Sequence, residues 1–191
     1  LVFGNCDAVL IVLDASGGKP LHRLELGPES QVAGGVAMAD TVAYSGSRSG
    51  TLAAADLEEG RLLWSRSDRE ASIFSTPAVD SRRVVYADND GFIVCRDRES
   101  GAERWVFESG ALDVRSPVIA HEHVLVSGDG KLYLLKAGDG AVVWERRISD
   151  VITSPAITSD GLVIVGSEDG TVRAFRSGAV ASGKEHPAGH E

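Results

Sequence analysis

Two short clusters of side chains in this sequence could hold a metal ion. Asp88-Asn89-Asp90-Gly91 resembles the beginning of a Ca²⁺ loop, because carboxylate and amide oxygens are the ligands that Ca²⁺ prefers. His121 and His123 flank Glu122, and two imidazoles at this spacing could chelate a transition metal. The acidic run lacks the later ligands of an EF-hand loop, and no third ligand lies near the histidine pair in the sequence. Both clusters are therefore interpreted as turn and loop residues.

No other pattern points to a catalytic centre. The serines lie outside any nucleophile-elbow context and have no identifiable histidine and aspartate partners. No glycine-rich phosphate loop follows a strand and opens a helix, so nucleotide binding has no support. Cys6 and Cys95 are too few for a disulfide framework and are predicted to be free thiols, with a bond between them as the alternative. We predict no catalytic, cofactor-binding or metal-binding residue.

The composition limits the function classes. Of the 191 residues, 43% are hydrophobic and 25% are charged, which is ordinary for a folded domain and too apolar for a disordered chain. A formal net charge of −9 argues against a protein that binds nucleic-acid phosphates. Apolar stretches such as Ala8 to Leu13 are far shorter than the ~20 residues of a membrane-spanning helix.

Several sequence markers recur with a period of about 40 residues and keep one order. A Ser/Thr-Pro-aliphatic segment begins at Thr76, Ser116 and Ser154, with Gly34 at the equivalent earlier place. A turn ending in glycine follows at Gly50, Gly91, Gly130 and Gly170, with Ala8 at this place in the first unit. A second turn ends in glycine at Gly18, Gly60, Gly101 and Gly140. Shortly after this second glycine comes a ring-bearing residue, at His22, Trp64, Trp105 and Trp144.

Within each unit the pattern is that of β-structure. Short β-branched or aromatic runs, such as Val84 to Ala87 and Phe92 to Cys95, are separated by Asp- and Gly-containing turns, which predicts hairpins. No segment shows a sustained helical period. Each complete unit therefore supplies four antiparallel strands, here called a to d, and strand a begins at the proline.

One four-stranded sheet cannot bury both of its faces, so the units must stack on one another. Radial stacking makes a β-propeller, in which each sheet is a blade packed between two neighbours. A linear solenoid is the alternative geometry. We predict an all-β β-propeller of four-stranded antiparallel blades.

The recurrent ring-bearing residue lies on the outer strand d. An indole buries roughly 150–250 Å², which suits it to dock one blade onto the next. We assign this structural role to Trp64, Trp105, Trp144 and His22, with stacking on a ligand as the alternative for the tryptophans. His22 can bury less apolar area, so the first interface is expected to be the weakest.

The order Asp-x-x-x-Gly-x-x-x-Trp, followed by Ser-Pro-Ala-Ile at the start of a later unit, resembles the PQQ-like β-propeller repeat. The resemblance covers about residues 1–176. This family includes quinoprotein alcohol dehydrogenases and BamB-type scaffold proteins of outer-membrane barrel assembly. The resemblance implies a ring of about eight blades and a periplasmic or other extracytoplasmic location.

Counted against this repeat, the chain holds three complete and two partial blades. The complete blades are residues 34–75, 76–115 and 116–153. Residues 1–33 supply strands b, c and d, and residues 154–176 supply strands a, b and c. We interpret the chain as a C-terminal fragment of a larger ring, with a five-bladed ring closed by the two partial blades as the alternative. Residues 177–191 are predicted to form a flexible C-terminal tail.

The resemblance leaves two functions open. The preferred one is a non-catalytic scaffold that binds protein partners, with a link to a membrane-associated complex through preceding parts of the protein. The alternative is a fragment of a PQQ-dependent quinoprotein alcohol dehydrogenase. That enzyme would need a catalytic aspartate, Ca²⁺ ligands and an arginine on the quinone, and none of these roles can be assigned here. The chain also has no adjacent cysteine pair, which many such enzymes carry beside PQQ.

In propellers the b–c turns and the d–a connections emerge on one face, which commonly binds partners. Exposed aromatic and arginine side chains are the residues most often found as interface anchors. On this basis the predicted partner-binding face contains Arg48, Arg69, Phe74, Asp88, Asn89 and Arg115. Phe74 with Arg69 and Arg115 forms the patch of first interest, and inward packing of Phe74 between blades is the alternative.

Overall fold

A computed structural model describes residues 1–27, 31–150 and 152–176. Within these ranges the chain forms strands and no helix, so the all-β prediction is confirmed. The predicted tail, residues 177–191, lies outside the described residues. Among the residues described, no helix has the length and apolar character to cross a membrane.

The strands form five antiparallel sheets. The first contains β1 (Val2–Gly4), β2 (Val9–Leu13) and β3 (Pro20–Glu25). The second contains β4 (Val32–Ala39), β5 (Val42–Ser47), β6 (Leu52–Asp56) and β7 (Arg61–Arg66). The third contains β8 (Ala78–Val79), β9 (Arg83–Ala87), β10 (Phe92–Asp97) and β11 (Glu103–Glu108). The fourth contains β12 (Val118–Ala120), β13 (His123–Gly128), β14 (Lys131–Lys136) and β15 (Val142–Arg147). The fifth contains β16 (Ala156–Ile157), β17 (Leu162–Gly166) and β18 (Val172–Arg176).

Each sheet is a meander in which every strand pairs with the next along the chain. Among the described residues, three sheets have four strands and the two at the ends have three. We number the blades 1 to 5 in chain order. Strands β4, β8, β12 and β16 contact one another in succession and form the inner side of the arc.

The second blade begins earlier than the repeat predicts. Strand β4 starts at Val32 rather than at Gly34, because Val32 pairs with Ser47 across an irregularity that precedes the pair Val36 and Ser45. A bulge of this kind bends the inner strand where it meets its neighbours.

The apolar core lies between the blades rather than inside any one of them. Each pair of neighbouring blades encloses one cluster, for example Leu10 and Leu24 of blade 1 against Ala53 of blade 2. A similar cluster joins blades 3 and 4, where Val85 packs near Leu135. This arrangement is the physical reason that one repeat cannot fold alone.

The pairing of strands c and d is interrupted at the same place in blades 1 to 4. The register shifts after Val12, Ala54, Cys95 and Leu134. A bulge increases the local twist of the outer strand and re-aims its side chains. The ring-bearing residue directly opposite or beside the shift is thereby turned toward the next blade.

Candidate functional site

Two of the outer-strand tryptophans, Trp64 and Trp105, dock on the c–d turn of the following blade. Trp64 is 6% exposed and its indole N–H donates a hydrogen bond of 3.1 Å to the carbonyl oxygen of Arg98. Trp105 is 7% exposed and donates in the same way to Ala137, at 2.9 Å. The repeated bond satisfies the one polar atom of each buried indole.

Glycine is required under each of these rings. A Cβ on Gly101 would lie 2.8 Å from the ring of Trp64, and one on Gly140 would lie 2.7 Å from Trp105. His22 occupies the equivalent place over Gly60, where a Cβ would approach its Nδ1 to 2.4 Å. The recurrence of glycine at the end of this turn therefore reflects close packing between neighbouring blades.

The aspartate that opens this turn holds it in shape. The carboxylate of Asp97 accepts hydrogen bonds from the amides of Glu99 and Ser100. The Arg104 guanidinium and these turn donors hold the pKa of Asp97 well below its ordinary value. Asp56 binds the amides of its own turn in the same manner.

The residues directly after β18, on which Trp144 would dock by analogy, lie outside the described residues. Trp144 is half-buried, and it packs with Leu134, Ile157 and Phe175 between blades 4 and 5.

The interface between blades 2 and 3 carries two arginines that the repeat did not reveal. Arg98 reaches across it, donating to the Tyr44 hydroxyl at 3.1 Å and to the Asp40 carboxylate at 2.6 Å. Arg96 is fully buried and donates to Asp68, at 2.6 Å. The only sequence signal for Arg96 is a charged residue directly after the apolar run of a central strand.

The b–c turns and the d–a connections lie against each other on one face of the arc. The Ser72 hydroxyl donates to the carbonyl oxygen of Arg48 at 2.6 Å, and the Asn89 amide donates to that of Ser72 at 2.9 Å. In the next blade the amide of Leu112 donates to the Asp129 carboxylate at 2.9 Å. These bonds hold the connections firmly to the turns, and we call this surface the turn face.

Phe74 is half-exposed on the turn face, with 50% of its surface accessible, rather than packed inward between blades. The guanidinium of the exposed Arg48 lies over its ring, 5.6 Å from the centroid. Arg48 makes no salt bridge with any residue in the described ranges. Aromatic and arginine side chains in this arrangement are common interface anchors.

Asp88 lies beneath the turn face and not on it, contrary to its sequence assignment. It is 2% exposed, and its Oδ1 accepts hydrogen bonds from the amides of Asp90 and Phe92. The carboxylate is turned inward because it caps its own hairpin turn. Burial raises the pKa of Asp88. Its neighbour Asn89 is exposed.

Arg69 and Arg115 are already engaged within the fold. The Arg69 guanidinium lies 4.7 Å from the centroid of the Phe92 ring and 3.8 Å from the Glu103 carboxylate. Arg115 forms a 2.6 Å salt bridge with Asp113. On this face Phe74 therefore contacts Arg48, and it does not form one patch with Arg69 and Arg115.

The side chains that the sequence suggested as metal ligands do not form a cluster in the described part of the chain. His121 is exposed and His123 is half-buried at the turn between β12 and β13. Across residues 1–27, 31–150 and 152–176, no three His, Cys, Asp or Glu side chains group closely enough to hold a metal ion. Asp88 and Asp90 belong to a turn that their own backbone bonds complete.

The two cysteines are expected to differ sharply in reactivity. Cys6 is exposed, whereas Cys95 is buried and burial raises its thiol pKa to about 12. Because the thiolate is the reactive form, a disulfide reagent should label one thiol in the native protein and a second only after unfolding in urea. The variant Cys6→Ser should then show no labelling in the native state. Rapid native labelling of Cys95 would contradict this placement.

Comparison with known proteins decides the family. The family model described as outer membrane protein assembly factor BamB matches residues 7–118 and 89–181. The chain belongs to the BamB family. This confirms the PQQ-like propeller resemblance found in the repeat.

Individual relatives agree with this assignment. The outer membrane protein assembly factor BamB of Xanthomonas campestris pv. campestris is 34% identical over 162 residues, covering 83% of this chain and 39% of the relative. The protein of the same name from Escherichia coli K12 is 26% identical over 166 residues, covering 84% of this chain and 40% of the relative. The chain thus spans about two-fifths of the length of these BamB relatives.

The fold comparison gives the same architecture. The crystal structure of BamB from Moraxella catarrhalis superposes with a TM-score of 0.79 at 22% identity, covering 97% of this chain and 56% of that one. At this identity the likeness establishes the propeller fold alone.

Proposed function

We propose that this BamB family member is a non-catalytic propeller scaffold that binds protein partners in the assembly of outer-membrane proteins. Its relatives bear the name outer membrane protein assembly factor BamB. The observation that carries the proposal is the exposed Phe74–Arg48 pair on the turn face. We further propose an extracytoplasmic location, on the periplasmic side of the outer membrane.

The pair is suited to anchor a partner because its backbone is already ordered. Next to Phe74, the Ile73 amide donates to the carbonyl oxygen of Ser47 at 2.9 Å, and Ser72 bonds to Arg48. A preordered anchor loses less conformational entropy on binding than a loose loop. The partner surface that fits is an apolar side chain next to a carboxylate, since Arg48 has no acidic partner among the described residues.

Photocrosslinking in the full-length protein tests the proposal. A photoreactive phenylalanine analogue at position 74 is expected to crosslink to a protein of the outer-membrane assembly machinery. The double variant Phe74→Ala, Arg48→Ala should lower the amount of that protein recovered by co-purification at least about fivefold, which corresponds to a loss of about 1 kcal/mol of binding free energy. Thermal unfolding should change little because both side chains are exposed.

The matched control is Arg82, an exposed residue of the a–b turn on the opposite face. The variant Arg82→Ala should leave co-purification unchanged. Equal loss with Arg82→Ala, or full recovery with the double variant, would contradict the proposal. The alternative of a quinoprotein is tested separately by titrating PQQ and Ca²⁺ into the full-length protein, where a saturable change in visible absorbance would favour the enzyme.

A further inference from the structure

Asp88 has a buried carboxylate that is only partly bonded to its own turn. Its Oδ1 accepts two backbone amides, whereas its Oδ2 is buried and has no hydrogen-bond partner among the described residues. The Nε of Arg69 is likewise buried and without a partner in the described ranges. Burial raises the pKa of Asp88, and the turn amides and the positive charge of Arg69 oppose that rise. An ionised carboxylate here therefore lowers stability, and Arg69 offsets part of the loss.

Arg69 lies across the interface between blades 2 and 3. Its carbonyl oxygen lies against the turn between β5 and β6, where a Cβ on Gly50 would approach it to 2.1 Å. Its guanidinium reaches the other blade and lies 4.7 Å from the ring centroid of Phe92, the first residue of β10. Arg69 therefore connects the turn that carries Arg48 with the turn that carries Asp88.

The d–a connection that begins near Arg69 also carries Phe74. Between these two residues, the carbonyl oxygen of Ser72 accepts a hydrogen bond of 2.9 Å from the Asn89 amide, and the Ser72 hydroxyl donates to the carbonyl oxygen of Arg48 at 2.6 Å. The position of Phe74 relative to Arg48 thus depends on how firmly the connection is held against both turns.

We propose that Asp88 and Arg69 are positioning residues for the Phe74–Arg48 pair, an inference that rests on the proposed function. The buried carboxylate holds the Arg69 guanidinium in place, and Arg69 in turn holds the connection against the turn of blade 2. Neither side chain needs to touch the partner. A buried charge that lowers stability fits a role in ordering a site, because an uncharged asparagine could cap the same turn.

Hydrogen exchange of the full-length protein, measured without a partner, tests this positioning role. Asp88→Asn keeps the oxygen that caps the turn and removes the charge, whereas Arg69→Met keeps an apolar side chain beside Phe92. Each variant should raise the exchange rate of residues 69–75 at least about fivefold. The double variant should exchange no faster than the faster single variant, because the two residues act as one unit. The thermal unfolding temperature of Asp88→Asn should not fall, since burial disfavours the charge that is removed.

Two exposed carboxylates provide matched controls. Asp90→Asn removes the same charge from the same turn, and Glu103→Gln removes the acidic side chain that lies 3.8 Å from Arg69. Both variants should leave the exchange rate of residues 69–75 within about twofold of the parent chain, since exposed charges contribute little. Residues 109–115, the equivalent connection between blades 3 and 4, should exchange at the parent rate in every variant.

A functional readout completes the experiment. Asp88→Asn should lower recovery of the crosslinked partner by co-purification about threefold. Full recovery with this variant, unchanged exchange of residues 69–75, an equal rise with Asp90→Asn, or additive effects in the double variant would overturn the proposal. Because exchange is measured without the partner, a failed crosslink at position 74 would contradict the proposed function and leave the exchange result standing.

Discussion

Replacing Trp105 with alanine is expected to lower the free energy of unfolding by about 3–5 kcal/mol. The indole is buried between blades 3 and 4, packs on Gly140, and donates its N–H to Ala137. Removing it leaves a cavity and an unpaired carbonyl group in the interface. Urea denaturation of the variant and the parent chain measures the difference.

Three matched variants show whether the loss comes from docking. Arg104→Ala, on the same strand with its side chain 40% exposed, should cost less than about 1 kcal/mol. Trp144→Ala should cost less than Trp105→Ala because Trp144 is only half-buried. His22→Ala should cost least among the docking residues, since imidazole buries less apolar surface. A Trp105→Ala loss no larger than that of Arg104→Ala would refute the docking role.

Replacing Gly130 with alanine is expected to destabilise the protein by about 2–5 kcal/mol. Gly130 follows Asp129 in the two-residue turn between β13 and β14, and both have positive φ, 45° for Asp129 and 74° for Gly130. A Cβ on Gly130 would lie 1.9 Å from the carbonyl oxygen of Ser149. The d–a connection is held there by the Ile148 amide, which donates to the Gly130 carbonyl at 2.8 Å. The clash would therefore push the connection away from the turn.

Two other glycines separate the backbone effect from the clash. Gly110 has φ +69° and nothing within 4 Å of an added Cβ, so Gly110→Ala should cost only about 1–2 kcal/mol for the left-handed conformation. Gly138 has open space and no positive φ, so Gly138→Ala should change stability by less than about 0.5 kcal/mol. If Gly130→Ala unfolds in urea at the same free energy as Gly110→Ala, the close approach of Ser149 does not matter for stability.

Most of the fold could be predicted from the repeat because the same turn and the same contact between neighbouring blades recur in every unit. Asp97 caps the c–d turn, Gly140 allows the chain to pass under an indole, and Trp105 fills the space above it. Each of these residue types is needed wherever two blades meet, so each recurs at one spacing. A periodic pattern of this kind is readable without knowing any long-range contact.

The candidate site was less predictable, because exposure depends on contacts between segments far apart in the chain. The sequence does not distinguish Asp88, turned inward to cap its own hairpin, from Asn89, which is exposed beside it. Nor does it show that Arg69 stacks on Phe92 while Arg48 covers Phe74. The pairing of Arg96 with Asp68 between blades 2 and 3 was likewise invisible to the repeat.

The sequence by itself determined the β-structure, the blade repeat and the residues that dock one blade on another. Those features follow from side-chain period, turn chemistry and packing that repeat with every unit. Only the tertiary structure decided that the exposed Arg48 lies over the ring of Phe74 and that Asp88 is buried. The physical reason is that the burial and pairing of these side chains depend on neighbouring residues that are not the same from one repeat to the next.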